Sequence, residues 1–180
     1  MWFALVKQYW NVSLFRQEPS ATPHSPLLAG IIGLIFFVLI VVQWMITDIN
    51  QQLAFGSALI IAGSLVLSYV VYTWILLGLF RFQARFLQTL SCLLAGHAAV
   101  HLVAFPLLLI MPLLLDVKAA TLMTSLVGIM YLGLTLALAI WQFMVSVYIY
   151  KHALTTSYFS AVLASFGLLA FNILTVSFWR

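Results

Sequence analysis

Residues 26–46 read PLLAGIIGLIFFVLIVVQWMI, without one charged side chain. An α-helix needs about 20 such residues to cross the hydrocarbon core of a bilayer. Outward from this stretch the same pattern recurs. The charged residues are Lys7, Arg16, Glu18, Asp48, Arg81, Arg85, Asp116, Lys118, Lys151 and Arg180. Between them lie uncharged runs 19–47, 49–80, 86–115, 119–150 and 152–179, of 29, 32, 30, 32 and 28 residues. Each is long enough to span, so the sequence predicts five transmembrane helices.

Composition agrees. The chain has 180 residues, 66% hydrophobic and 6% charged, against roughly half and a quarter in a typical soluble domain. A globule of this size cannot hide so much apolar surface, which excludes a soluble enzyme, a disordered regulator and a secreted disulfide scaffold. The single Cys92 leaves no intramolecular disulfide and no thiolate cluster. The net charge of +4 is carried singly or in pairs; this suits lipid headgroups, and no nucleic-acid partner is expected.

The expected class is all-α: a polytopic integral membrane protein, a five-helix bundle with a short N-terminal interfacial helix. Residues 1–25 form an amphipathic segment and connector, and residues 26–180 one transmembrane domain. Trp2, Val6, Trp10 and Leu14 recur every four residues, while Lys7, Gln8 and Asn11 point elsewhere, the pattern of a helix lying in the interface. Pro19, Ser20, Pro23, Ser25 and Pro26 make a turn-rich connector. The spans are expected at about 26–46, 55–79, 88–114, 124–149 and 157–178. Asp48, Asn50, Gln51 and Gln52 mark a polar hairpin, Asp116 and Lys118 a loop, and Lys151 with His152 a turn. Pro106 and Pro112 are expected to kink or break the third span. A cytoplasmic N-terminus puts Lys7, Arg16, Arg81, Arg85 and Lys151 inside and only Lys118 and Arg180 outside, so N-in, C-out orientation is expected.

Candidate sites are few. His97 and His101, four apart, share a helix face, and ionisable groups inside a span are functional candidates. A shared metal would want a third ligand and supporting carboxylates, but Glu18, Asp48 and Asp116 all fall outside the spans, and haem ligands must approach from opposite sides. The expected role is two neutral histidines bonded to neighbouring helices, with metal or haem binding and proton handling as alternatives. Gln142 and Asn172 are expected to bond across helices, as are Tyr69, Tyr72, Thr73 and Tyr131. Small residues four apart (Ala29 and Gly33, Ser64 and Ser68, Gly133 and Ala137, Ser160 and Ala164) suit close helix packing. No phosphate-binding glycine loop, carboxylate pair or Ser/His/Asp set can be assembled. No cofactor, metal or enzyme activity is therefore expected.

Trp141-Gln-Phe-Met-Val-Ser-Val-Tyr-Ile-Tyr-Lys-His-Ala-Leu154, running into span five, resembles the final helix pair of bacterial Yip1-like membrane proteins. Arg81-Phe-Gln-Ala-Arg-Phe-Leu-Gln-Thr-Leu90, with Pro106 in the next span, is similar to that family's connection into its proline-bearing third helix. Leu14-Phe-Arg-Gln-Glu-Pro19, followed by Pro23, Ser25 and Pro26, resembles the lead-in of small members. The resemblance implies a five-helix architecture in a bacterial inner membrane. Eukaryotic relatives act in vesicle traffic and meet small GTPases through longer N-terminal regions, whose aspartate- and tyrosine-containing motifs have no match here. That activity is not carried over, and no site residue is transferred. Two functions are expected in turn. The first is a scaffold or accessory component of a membrane assembly, meeting other membrane proteins or itself. The second is a small transporter or channel subunit with His97, His101, Gln142 and Asn172 along a polar path near the third span.

Overall fold

A computed structural model of the chain describes residues 2–47, 55–115 and 122–179, without the side chains of 111–115 and 122–124. The elements are α1 (Trp2–Ser13), a 3-10 turn (Pro19–Ala21), α2 (Pro26–Thr47), α3 (Phe55–Leu79), a second 3-10 turn (Gln83–Arg85), α4 (Phe86–Leu115), α5 (Leu122–Leu154) and α6 (Tyr158–Ser177). Among the described residues five helices are long and apolar enough to cross a membrane, within a few residues of the expected spans. The expected hairpin at Asp48–Gln52 and the loop at Asp116 and Lys118 lie outside the described residues, as does Arg180.

The five long apolar helices pack in the cyclic order α2–α3–α6–α5–α4 and back to α2, with α3 and α4 also touching across the ring. Phe36, Tyr69, Leu93, Val145, Ile149, Tyr150 and Leu168 fill the middle and are almost wholly buried. Since lipid is as apolar as these side chains, shape and polar bonds decide the packing, which favours small residues at contacts. Ala29, Ser68 and Ala164 are buried in this way. Gly96 marks another close approach: a Cβ there would lie 2.7 Å from Val145 Cγ1 and 3.4 Å from Ser13 Oγ.

The N-terminal segment is helical, with Trp2, Phe3, Val6 and Trp10 exposed. Its other face is not free, because Tyr9, Val12 and Ser13 pack against the bundle. Trp141 Nε1 donates to the Ser13 carbonyl at 3.0 Å, with the Trp10 ring edge-on at 6.3 Å. The Tyr9 hydroxyl donates to Ser91 Oγ at 3.3 Å, and burial pushes that phenol's pKa up, keeping it a donor. The connector docks as well: Gln88 Nε2 donates to the Thr22 carbonyl at 2.7 Å, and Thr22 Oγ1 lies 3.3 Å from Cys92 Sγ.

α1, α3 and α5 end alike. Phe15, Arg81 and Thr155 take φ of 61°, 62° and 47°, and the next residue's N–H bonds back to the carbonyls of Asn11, Leu77 and Lys151. This is the Schellman termination, which usually employs glycine. Two expectations need correcting here. Lys151 and His152 do not form the turn; they occupy the last helical turn of α5, where positive charge suits the helix dipole. Arg85 Nη1 caps that end, donating to the His152 and Ala153 carbonyls at 3.0 Å each. Of the kink or break expected in the third span, the break is absent, since α4 stays helical through Pro106 and Pro112. Prolines are tolerated in membrane helices when neighbouring groups and small backbone adjustments take up the freed carbonyls.

Candidate functional site

α4 delivers His97 into the centre of the ring, 3% exposed. Its Nδ1 receives two donors, the Tyr69 hydroxyl from α3 and Gln142 Nε2 from α5, the latter at 3.0 Å. Its Nε2 lies 2.8 Å from Ser146 Oγ, which in turn donates to the Gln142 carbonyl at 3.2 Å. Only the Nε2–H tautomer satisfies this arrangement, with Nδ1 accepting and Nε2 donating. The site thus ties three helices together through one neutral ring.

One turn further along, His101 reaches a different neighbour. Its Nδ1–H donates to Gln43 Oε1 at 2.8 Å, and Gln43 Nε2 returns a bond to the His101 carbonyl at 3.0 Å. This reciprocal pair clamps α2 to α4. The Phe36 ring bridges the two histidine sites, 5.6 Å from Tyr69 and 5.8 Å from His101. Asn172 takes a third arrangement, its Oδ1 accepting from Ser68 Oγ at 2.5 Å. Thr73 and Tyr150 pair at 3.1 Å, and the Tyr72 hydroxyl donates to the Ala164 carbonyl at 2.7 Å. Among the described residues no buried side-chain nitrogen or oxygen lacks a partner.

A cavity of about 670 Å3 opens beside this seam, with Gln43, Thr47, His101, Tyr131, Thr135 and Gln142 as its polar wall. Of the four residues singled out, His101 and Gln142 face it. His97 and Asn172 are not on its wall, although Gln142 bonds to His97. Gln43 was not recognised as a partner; its signal was a lone amide late in a wholly apolar run. Ser146 gave no comparable signal, because serine is common in membrane helices.

Both His97 nitrogens have protein partners, and among the described residues no group of three His, Cys, Asp or Glu side chains could hold a metal. The described acid, Glu18, lies in the connector. The seam holds neutral donors and acceptors, suited to joining helices or to contacting a polar group that enters the cavity. The fold is therefore an all-helical bundle with five membrane-length apolar helices and a polar seam inside it. No family model, curated sequence or solved structure matches the chain.

Proposed function

We propose that this chain is a non-catalytic integral membrane protein of Yip1-like architecture, oriented N-in and C-out in a bacterial inner membrane. It serves as a scaffold or accessory component of a membrane assembly. The observation that supports this reading is the outer half of α5. From Ser125 to Ile140 its residues are exposed or half-buried, whereas Val145, Ser146, Val147, Ile149 and Tyr150 are buried. Gly133 and Ala137 sit on the exposed half, and a Cβ at Gly128 or Gly133 would meet nothing within 4 Å. The other small-residue pairs have contacts within the chain; this one has room for another helix.

The test is energy transfer between labelled copies in bilayers, together with co-purification in mild detergent. Wild-type protein should self-associate or retain a membrane partner, and Gly133→Leu with Ala137→Leu should abolish it. A monodisperse protein without partners, indifferent to both substitutions, would overturn the reading. The cavity favours a second reading, passage of a small solute or amphiphile past Gln43, His101 and Gln142. Ala104 lines the cavity, so Ala104→Phe should reduce flux in proteoliposomes. Absence of flux for a panel of small neutral solutes and amphiphiles would remove that reading.

A further inference from the structure

The opposite end of the bundle holds another pocket, of about 400 Å3, between the turn Pro19–Ala21, the start of α4 and the end of α5. Its polar lining includes Glu18, Ser20, Arg85, Gln88, Lys151 and His152. Arg85 spends one guanidinium nitrogen, Nη1, on the α5 carbonyls, which leaves about three of its five N–H donors. The same two bonds hold the guanidinium in place, with its carbon 5.0 Å from the Phe82 ring centre. Lys151 Nζ lies 3.6 Å from the centre of the Tyr158 ring. Glu18 accepts from Ser20 Oγ at 3.1 Å and, among the described residues, forms no ion pair. Two cations against one carboxylate leave the pocket with an unbalanced positive charge and unspent donors.

Beside Lys151 the surface is apolar and open: Tyr158 and Phe159, in the first turn of α6, are 63% and 72% exposed. Aromatic side chains of this kind sit at the headgroup level of a bilayer. A fitting ligand carries one negative charge on several acceptor oxygens, and hydrocarbon beside it.

We propose that this pocket binds the phosphodiester of a glycerophospholipid. Its oxygens take the free Arg85 N–H donors and the Lys151 ammonium, and its acyl chains lie along Tyr158 and Phe159. The proposal is independent of what docks on α5.

Native mass spectrometry of the full chain in mild detergent, titrated with phosphatidylglycerol, tests it. Wild-type protein should retain lipid, and Lys151→Gln should weaken retention about fivefold, the effect of one cation near an anionic surface. Lys7→Gln removes the same charge from α1, outside the pocket, and should leave retention unchanged. Arg85→Lys keeps the charge but loses the planar fork, so retention should fall in protein shown to be folded by its melting curve. Equal losses in Lys7→Gln and Lys151→Gln would mean diffuse surface charge and overturn the site. Displacement by inorganic phosphate at the lipid's own concentration would assign the pocket to a free anion and overturn the lipid.

Discussion

Gly96 and Gly133 lie on the neighbouring helices α4 and α5 and have opposite surroundings. At Gly96, α4, α5 and the docked α1 meet, and a single added carbon would press on Val145 and touch Ser13 and Ile149. At Gly133, on the outer half of α5, an added carbon meets nothing. One end of the bundle is closed by short turns, Schellman caps, the Arg85 cap and the folded-back N-terminal segment. The other half holds the cavity beside Gln43 and His101. The difference teaches that apolar character does not mark packed helix here: the exposed outer half of α5 is the more apolar, while the packed half carries Gln142, Ser146, Lys151 and His152. What distinguishes them is the presence of long-range polar bonds that fix the helix axes.

Gly96→Leu should break the closed end most severely. Val145 is wholly buried and has nowhere to move, so overpacking should cost about 3 kcal/mol, read as a lower melting temperature in detergent. A melting curve close to wild type would mean that this end is far looser than its contacts indicate. His97→Leu comes next. It leaves the Tyr69 hydroxyl and Gln142 amide without their common acceptor, for a loss of about 2 kcal/mol. His101→Leu, which removes the Nδ1–H bond to Gln43 and the Phe36 ring contact but keeps the Gln43 bond to the residue 101 carbonyl, should cost less. The reverse order would place the structural weight at the open end.

Two smaller effects sharpen the account of the closed end. Trp141→Phe removes the N–H bond to the Ser13 carbonyl, worth about 1 kcal/mol. Its signature should be local: faster hydrogen exchange in α1 with little change in the global melting temperature. Arg81→Gly should act in the other direction. Arg81 is exposed at a left-handed φ of 62°, where glycine relieves the side-chain clash, so stability should rise by about 1 kcal/mol. No gain would show that Arg81 has a compensating interaction with lipid.

The five spans were legible because long uncharged runs separate the few charges in this chain. The N-terminal helix was legible from the four-residue spacing of Trp2, Val6, Trp10 and Leu14. Its docking was not, since Tyr9, Val12 and Ser13 reveal a second face only once α4 and Trp141 are in place. The end of α5 was misplaced by a few residues because a Lys-His pair reads as a turn, while the Arg85 cap that prolongs the helix arrives from 67 positions earlier. The three left-handed caps carry no glycine, so nothing in the local sequence marks them. His97 and His101 stood out as a pair, but spacing on one helix says nothing about partners. One turn of rise sends His97 to Tyr69, Gln142 and Ser146, and His101 to Gln43.

The smallest expected effect on folding belongs to Gly133→Leu, and it bears most directly on the two halves of α5. With no neighbour within 4 Å, a larger side chain meets only lipid, and glycine's entropic cost in a helix is removed. Monomer stability should therefore stay within about 0.5 kcal/mol of wild type, measured in a detergent that keeps chains apart. In bilayers the same substitution should abolish association, because a leucine there holds a second backbone away from α5. The two readings separate fold from assembly. Destabilisation in detergent would mean that the outer half of α5 packs within the chain, and association unchanged in bilayers would mean that its bare face is lipid contact alone.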